Sequence, residues 1–340
     1  MKTSDFDYHL PPELIAQTPI EPRDQSRLMV LHRKTGLIEH RYFRDIFVYL
    51  ESGDTLLFND SRVIPARLLG KKEKSDVELL LLRRVDDGIW ETLIRPGKKA
   101  RTGTRISIMS EPGNTIQELT IEVTEQREGG IRLVRVSDEA LLERLGKVPL
   151  PPYIRTPLAQ PERYQTVYAR VKGSVAAPTA GLHFTPTLLA EIQQKGVNLA
   201  FVTLHIGLDT FRPVRAEDPS AHPIHKEYGE LKPEVADLLN KTRKAGKQVV
   251  IVGTSTTRLV EAASQPGTVQ PFSDWADLFI LPGYKFRTAD ALVTNFHLPK
   301  STLLMLVSAF AGREFILQAY EEAKNLRYRF YSFGDAMLIL

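Results

Sequence analysis

Cysteine is absent from the 340 residues of this chain. Its absence excludes disulfide bonds, thiolate nucleophiles, iron–sulfur clusters and cysteine zinc sites, so any metal would need histidine and carboxylate ligands. The chain also lacks any run near the ~18 consecutive apolar residues of a membrane span. Because the first residues lack the apolar segment of a secretory signal, we expect a protein of the cytoplasm.

The common phosphate-binding fingerprints are missing as well. The string Gly253-Thr-Ser-Thr-Thr-Arg258 follows a predicted strand. It has neither the Gly-Lys-Ser/Thr ending of a Walker loop nor the further glycines of a dinucleotide site. A glycine and four hydroxyl residues at a helix start still favour binding of a carboxylate or phosphate, although N-capping accounts for at least one hydroxyl.

The charge balance is slightly basic, with a formal net charge of +4. Such a charge permits nucleic-acid binding without requiring it. Basic side chains cluster in two short segments: Lys71, Lys72 and Lys74, then Arg95, Lys98, Lys99, Arg101 and Arg105. The alternative to a nucleic-acid contact is a set of solvated turns.

The middle of the chain consists of short β-rich runs separated by turn residues. The predicted strands are 63–69, 77–84, 89–94, 105–109, 116–123 and 131–136. This spacing predicts a small barrel or sandwich. A short helix is predicted at 138–145, and a proline-rich connection follows it.

Helices and buried strands alternate in the rest of the chain, which is typical of an α/β domain. The predicted helices are 188–195, 235–245, 256–263, 302–311 and 313–324. The predicted strands are 28–31, 55–58, 199–204, 249–252, 278–281 and 291–294. We therefore expect an open α/β main domain, residues 1–62 and 150–340, with an inserted all-β, barrel-like domain at 63–149.

Polar side chains gather where the predicted strands give way to helices. Asn295, His297 and Lys300 precede a helix that Ser301 or Thr302 can cap. In open α/β sheets, ligands bind beyond the carboxyl ends of the strands. The position therefore predicts a binding or catalytic site, and the alternative is a solvated or capping role for these residues.

Two further histidines occupy similar junctions. His183 follows Thr179 and Gly181 in a run of small residues before a helix, where a flat ligand can approach the backbone. His205 ends a predicted strand and, with Asp209, forms a candidate acid/base pair. The alternatives are a tight turn with a core histidine and a turn capped by Asp209.

Two weaker signals come from short clusters. His222, His225 and Glu227 have a spacing that zinc or manganese can use, but Pro223 disfavours a regular helix there and a polar loop is the favoured interpretation. Tyr328 and Tyr331 alternate with basic residues, a pattern that suits either base stacking or a buried strand.

Several strings, taken in order, resemble one family. They are Asp5-Phe-Asp-Tyr8, Asn59-Asp-Ser-Arg-Val-Ile-Pro-Ala-Arg67, Ala176-Ala-Pro-Thr-Ala-Gly-Leu-His-Phe184 and residues 294–312. Over nearly its whole length the chain resembles the S-adenosylmethionine:tRNA ribosyltransferase-isomerases of queuosine biosynthesis. It departs from them at Asp209, where the family commonly has glycine, and in the order of hydroxyl residues after Gly253.

The resemblance implies transfer of the ribosyl portion of S-adenosylmethionine onto 7-aminomethyl-7-deazaguanine at the wobble position of tRNA. Epoxyqueuosine is formed, and adenine and methionine are released. S-adenosylmethionine is then a consumed donor, and we expect no permanently bound cofactor and no metal. The expected partners are this tRNA and S-adenosylmethionine, with no membrane and a monomeric chain. The implied fold, an α/β domain with an inserted barrel-like domain, agrees with the strand pattern.

The implied reaction needs a base beside the sulfonium and an acid for the departing adenine. We assign this work jointly to His183, His205 and His297. The predicted substrate-binding residues are Asp60, Arg62, Thr179, Gly181, Asp209, Thr254, Ser255, Arg258, Asn295 and Lys300. The predicted tRNA-binding residues are Lys71, Lys72, Lys74, Lys98, Lys99, Arg101, Tyr328 and Tyr331.

Two other functions remain open at this point. The first is a metal-dependent hydrolase that uses the histidines together with Glu227. The second is a non-catalytic RNA-binding protein in which the junction residues merely cap helices.

Overall fold

A computed structural model describes residues 1–109, 118–207 and 213–340. The chain divides into two compact units. The first is Met1–Arg62, Pro151–Val171 and Ala177–Leu340, and the second is Val63–Leu150 and Lys172–Ala176. The short segment Lys172–Ala176 groups with the second unit, whereas the sequence pattern assigns it to the α/β part.

The secondary structure confirms the predicted fold class, α/β with an inserted all-β barrel. In chain order the strands are β1 (Arg27–His32), β2 (Leu37–Tyr42), β3 (Thr55–Asn59), β4 (Ser61–Val63), β5 (Arg67–Lys72), β6 (Ser75–Asp86), β7 (Ile89–Arg95), β8 (Arg105–Met109), β9 (Glu118–Gln126), β10 (Ile131–Val136), β11 (Val171–Ser174), β12 (Asn198–Leu204), β13 (Glu227–Leu231), β14 (Val249–Val252), β15 (Ser264–Gln265), β16 (Thr268–Val269), β17 (Phe272–Ala276), β18 (Ala291–Asn295) and β19 (Ala336–Ile339). The α-helices are α1 (Leu142–Leu145), α2 (Pro186–Gln194), α3 (Pro233–Lys244), α4 (Thr254–Ala262), α5 (Thr302–Ala311) and α6 (Arg313–Asn325).

Within the described residues, the first unit contains a nine-stranded sheet in the order β17-β13-β12-β3-β14-β18-β19-β1-β2. Its centre is parallel: β12, β3, β14 and β18 all run in the same direction. These strands read as continuous apolar runs because both faces of the sheet are covered. Their carboxyl ends therefore share one edge, which is where the polar junctions lie.

The two faces of this sheet bury two separate apolar clusters. Alternate side chains of one strand point to opposite faces, so Leu57 and Ile251 belong to one cluster while Leu56 and Val250 belong to the other. The predicted helices of the α/β part are confirmed as α2 to α6, with ends displaced by about two residues or fewer. Ser301 caps α5 as predicted, because its hydroxyl accepts a hydrogen bond from the N–H of Leu304 at 3.2 Å.

The second unit is a closed antiparallel barrel, in the order β10-β7-β6-β5-β8-β9 for the described residues. Its strands alternate buried and exposed side chains, as β7 does along Ile89–Arg95. The predicted strand 63–69 is divided into β4 and β5 around Pro65, which has no N–H to donate to a ladder. The predicted strand 116–123 begins outside the described residues and continues as β9.

One predicted strand is wrong. Residues 278–281 form no ladder, and the strand in this region is β17. Ile280 is nevertheless buried in the core. The apolar residues of this segment therefore serve core packing and do not form a strand. The strand alternative for Tyr328 and Tyr331 also fails, because β19 begins only at Ala336.

Within the described ranges, no single helix is long and apolar enough to cross a membrane. The helices α5 and α6 pass that test of length and composition only as a pair, and they meet at a bend of 112°.

Candidate functional site

A cleft opens in the first unit at the carboxyl ends of β14 and β18. It encloses about 530 Å³, including the space at its open mouth. Most of its polar lining comes from the predicted junctions, namely Thr179, Thr254, Ser255, Thr294, Asn295 and His297, and Ser332 adds one more polar side chain. Its apolar lining includes Tyr153, Phe296, Leu298, Leu303 and Tyr331. The structure thus brings three separate junctions of the sequence together around one space.

The start of α4 forms one wall of this cleft. Gly253 leaves β14 with φ of 94°, a left-handed conformation that glycine adopts without strain. Two of the four hydroxyls bond back to the chain: Thr256 donates to the carbonyl of Val252 at 2.7 Å, and Thr257 donates to that of Gly253 at 3.0 Å. Thr254 and Ser255 line the cleft, where the helix N-terminus offers unpaired N–H groups.

His297 also lines the cleft, two residues after β18, and is only 7% exposed. Its Nε2 atom is 2.8 Å from the hydroxyl of Thr294. Its backbone is held on both sides, since its N–H donates to the hydroxyl oxygen of Tyr320 and its carbonyl accepts from the hydroxyl of Tyr8. Burial lowers the pKa of His297 to about 3, so the ring is neutral near pH 7.

His183 lies behind Asn295 and is not part of the cleft lining. Its Nδ1 atom is 2.7 Å from the hydroxyl of Ser26, and its Nε2 atom is 3.1 Å from the amide nitrogen of Asn295. The ring stacks on Phe43 with centroids 4.9 Å apart. Burial, assisted by the positive charges of Arg329 and Arg23, lowers the pKa of His183 to about 3.

His205 follows β12 and borders a different polar cluster. Burial lowers its pKa, and the negative charge of Asp60 opposes that shift. Asp60 is buried and accepts hydrogen bonds from Thr203 at 2.7 Å and from Arg170 at 2.7 Å. Asp209 lies outside the residues that the structure describes, so its pairing with His205 stays a prediction.

Five of the predicted substrate-binding residues lie outside the cleft lining: Asp60, Arg62, Gly181, Arg258 and Lys300. Arg258 is buried in an ion pair with Glu227 at 2.7 Å, and its other nitrogens donate to backbone carbonyls. Arg62 pairs with Glu162 at 2.5 Å, and Lys300 pairs with Asp7 at 2.7 Å.

Gly181 has a packing role that the sequence alone does not reveal. A Cβ atom at this position would lie 2.0 Å from the hydroxyl of Tyr168. The small residue therefore makes room for a neighbouring aromatic ring rather than for a ligand.

The predicted tRNA-binding residues fall into two groups. The basic ones belong to the barrel unit: Lys71, Lys72, Lys74, Lys98, Lys99 and Arg101. All of these side chains are exposed except that of Lys72, which is half-buried. Tyr328 is 1% exposed and is covered by the guanidinium of Arg27, 4.0 Å from the ring centroid, so no ring face is available to stack a base. Tyr331 lines the cleft.

The residues that sequence reasoning missed are mostly aromatic or distant in the chain. Tyr153 lines the cleft and hydrogen bonds through its hydroxyl to Ser332 at 2.7 Å. Arg170 pairs with Asp60, and Glu227 pairs with Arg258. Neither ion pair was predicted from the sequence. The Pro-Pro-Tyr string before residue 154 carries no periodicity that would have identified Tyr153.

The metal alternative for His222, His225 and Glu227 gains no support, because Glu227 is paired with Arg258 at 2.7 Å. The rings of His222 and His225 have centroids 6.4 Å apart and meet edge to face. In the part of the chain that the structure describes, no group of three histidine, aspartate or glutamate side chains is placed to hold a metal ion.

Comparison with known proteins gives one consistent result. The family model described as queuosine biosynthesis protein matches residues 3–339. A relative from Dehalococcoides mccartyi (strain CBDB1) is 58% identical over 345 residues, covering 100% of both chains, and one from Symbiobacterium thermophilum is 56% identical over 347 residues with the same coverage. Both are named S-adenosylmethionine:tRNA ribosyltransferase-isomerase.

A solved structure agrees with these relatives. The crystal structure of S-adenosylmethionine tRNA ribosyltransferase from Thermotoga maritima is 43% identical in sequence, with a TM-score of 0.58. The similarity covers 99% of this chain and 100% of that chain. The resemblance found in the sequence is thereby confirmed, and this chain belongs to the family of queuosine biosynthesis proteins.

Proposed function

We propose that this chain is an S-adenosylmethionine:tRNA ribosyltransferase-isomerase and that the cleft beside His297 is its active site. The enzyme transfers and isomerises the ribosyl portion of S-adenosylmethionine onto 7-aminomethyl-7-deazaguanine at the wobble position of tRNA. Epoxyqueuosine is formed, and adenine and methionine are released. The observation that carries the proposal is a buried, neutral histidine on a cleft that contains both a helix N-terminus and aromatic rings.

The chemistry of the lining suits S-adenosylmethionine. The N-terminus of α4 at Thr254 and Ser255 stabilises a carboxylate, such as that of the methionine portion. Phe296 and Tyr331 offer apolar contacts to a purine. No lysine or arginine is among the described residues that line the cleft, so the sulfonium meets no like charge there.

His297 is our candidate for the first proton transfer. Neutral imidazole accepts the proton from the carbon beside the sulfonium, and adenine then leaves as it acquires a proton. A pKa near 3 makes His297 a weak base, so the acidity that the positive sulfur gives to this carbon has to supply the driving force. The substrate amine then attacks the sugar after losing its own proton, and methionine departs as the epoxide closes.

His205 is the candidate for the second proton transfer. The next residue, Ile206, lines the cleft, and Asp60 favours the protonated ring against the effect of burial. Because burial outweighs Asp60 and lowers the pKa of His205, the resting ring is neutral and must take up a proton before it can pass one to the departing adenine.

The exposed basic residues of the barrel unit are our candidates for contacts with tRNA phosphates. Each true phosphate contact contributes ~0.7 to 0.9 to the slope of log affinity against log salt. Lys98→Ala should therefore lower that slope by about this amount, while an unchanged slope would indicate a solvated turn. We further propose that the enzyme acts as a monomer in the cytoplasm.

The test of the reaction is adenine release. The purified protein is incubated with S-adenosylmethionine and tRNA carrying 7-aminomethyl-7-deazaguanine, and adenine and the modified base are measured by mass spectrometry. The control is the same tRNA with guanine at the wobble position, which should release no adenine. If the two tRNAs give the same result, the proposed reaction is rejected.

The role of His297 has a separate test. His297→Ala should lower turnover by about a hundredfold or more, as expected for a general acid or base. Near wild-type turnover of this variant would remove His297 from the mechanism while leaving the reaction itself intact.

Neither alternative function gains support from the site. A hydrolase would need metal ligands that the described residues do not bring together. An RNA-binding protein without catalysis would not explain why the relatives that match over the whole chain are named as transferases.

A further inference from the structure

Asn295 ends β18 and is the most deeply buried polar residue of the cleft lining apart from Thr294, at 2% exposure. Its amide nitrogen Nδ2 donates to the backbone carbonyl of Tyr331 at 3.1 Å. A carbonyl oxygen can only accept, so the nitrogen and not the oxygen of the amide must face Tyr331. This single contact fixes which way the amide is turned.

The turned amide also fixes the protonation of His183. The second hydrogen of Nδ2 points to Nε2 of His183, 3.1 Å away, so Nε2 carries a lone pair. The ring proton is then on Nδ1, which donates to the hydroxyl oxygen of Ser26 at 2.7 Å. Burial keeps this ring neutral. Both nitrogens have partners, and neither remains for a substrate.

The same geometry leaves one atom of Asn295 unused. The amide oxygen Oδ1 is buried and has no hydrogen-bond partner in the described structure. A buried acceptor without a partner is costly, so such atoms are rare unless a ligand satisfies them. Because Asn295 lines the cleft, a ligand bound there is the candidate donor to Oδ1.

We propose that Oδ1 of Asn295 accepts a hydrogen bond from an N–H of the substrate's heterocycle, and that His183 is a positioning residue which holds the amide in this orientation. The ligand is named from the proposed function, on which this inference rests. Its N–H is an exocyclic amino group, either of the adenine of S-adenosylmethionine or of the deazaguanine base. Under this proposal, His183 leaves the set of proton-transfer residues.

Binding measurements test the acceptor without requiring turnover. In one arm, calorimetry compares S-adenosylmethionine with S-inosylmethionine, in which a carbonyl oxygen replaces the adenine amino group. In the other arm, it compares tRNA carrying the aminomethyl base with tRNA carrying its analogue without the 2-amino group. Wild type should bind the ligand without the amino group at least tenfold more weakly in one arm, and that arm identifies the source of the N–H.

Asn295→Ala should bind both ligands of that arm equally, because the acceptor is gone. Ser308→Ala is the matched control, since it also removes a buried polar atom without a partner in the described structure but lies outside the cleft lining, and it should keep the wild-type discrimination. Wild-type binding without discrimination in both arms, or discrimination retained by Asn295→Ala, would overturn the inference. If the wild-type protein binds none of these ligands, both this inference and the proposed function are rejected. If it discriminates between the ligands but releases no adenine, this inference is supported and only the proposed reaction is rejected.

The positioning role of His183 is tested by a conservative variant. His183→Gln keeps an acceptor for Nδ2 of Asn295 but cannot transfer protons, whereas His183→Ala removes the acceptor. We expect His183→Ala to weaken binding about tenfold and His183→Gln to restore it, with kcat and its pH profile close to wild type. A hundredfold loss of kcat in both variants at unchanged binding would return His183 to the proton-transfer residues.

Discussion

Lowering the pH from 7.5 to 5.0 should destabilise this protein through two buried histidines. In the unfolded chain a histidine has a pKa near 6.5, whereas burial lowers the pKa of His183 and His297 to about 3 in the folded state. Below pH 6.5 the unfolded chain therefore binds protons that the folded chain does not. The contribution of these neutral rings to the free energy of unfolding is fully present above pH 6.5 and is lost as the pH falls toward 3.

The size of the effect follows from the same shift. Each pH unit between the two pKa values is equivalent to about 1.4 kcal/mol for each histidine. At pH 5.0, each ring should therefore have lost about 2 kcal/mol of the free energy of unfolding. Together the two rings remove about 4 kcal/mol, a large part of the ~5–15 kcal/mol that stabilises a typical domain.

Urea denaturation followed by circular dichroism at pH 7.5, 6.5 and 5.0 measures this loss. His183→Gln and His297→Gln should each remove about 2 kcal/mol of the pH dependence, whatever each substitution costs at pH 7.5. His9→Gln is the matched control, because that side chain is exposed, and it should keep the wild-type slope. If a variant keeps the full slope, the ring that it replaces is not held neutral by burial, and that result for His297→Gln would refute the reasoning for His297 as a neutral base.

Other substitutions test single contacts by the free energy of unfolding in urea. Glu227→Gln should cost about 3–5 kcal/mol, because Arg258 is left as a buried charge without its partner, and an unaffected protein would show that this pair does not form. Gly181→Ala should cost about 1–3 kcal/mol because the new Cβ meets the hydroxyl of Tyr168, and adding Tyr168→Phe should recover part of that loss. Ser301→Ala should cost about 1 kcal/mol through the lost N-cap, whereas Ser301→Asp should retain it; equal losses would argue against capping.

Local pattern was sufficient for much of the fold. Continuous apolar runs identified β3, β12, β14 and β18, because strands buried on both faces need apolar side chains at every position. Short β-rich runs separated by turn residues predicted the barrel, because each run is long enough for one strand and each turn reverses the chain. The cap at Ser301 was also readable, because it involves a residue only three positions away.

The sequence pattern gave a wrong strand where a segment is buried but does not pair with a neighbouring strand. The apolar run 278–281 was predicted as a strand, but Ile280 packs into the core without a ladder partner. Apolar character reports that a segment is buried, and it does not report whether a neighbouring strand lies within hydrogen-bond distance.

For the candidate site, the order of strands and helices along the chain was enough to identify the junctions that carry polar residues, because parallel strands place their carboxyl ends at one edge. It could not determine what each side chain would contact. Nε2 of His183 meets an amide 112 residues away, and Nδ1 meets a hydroxyl 157 residues away. Such partners depend on the order of strands in the sheet, which no local pattern contains. The folded chain alone therefore shows that Arg258 pairs with Glu227 and that His297 lines the cleft.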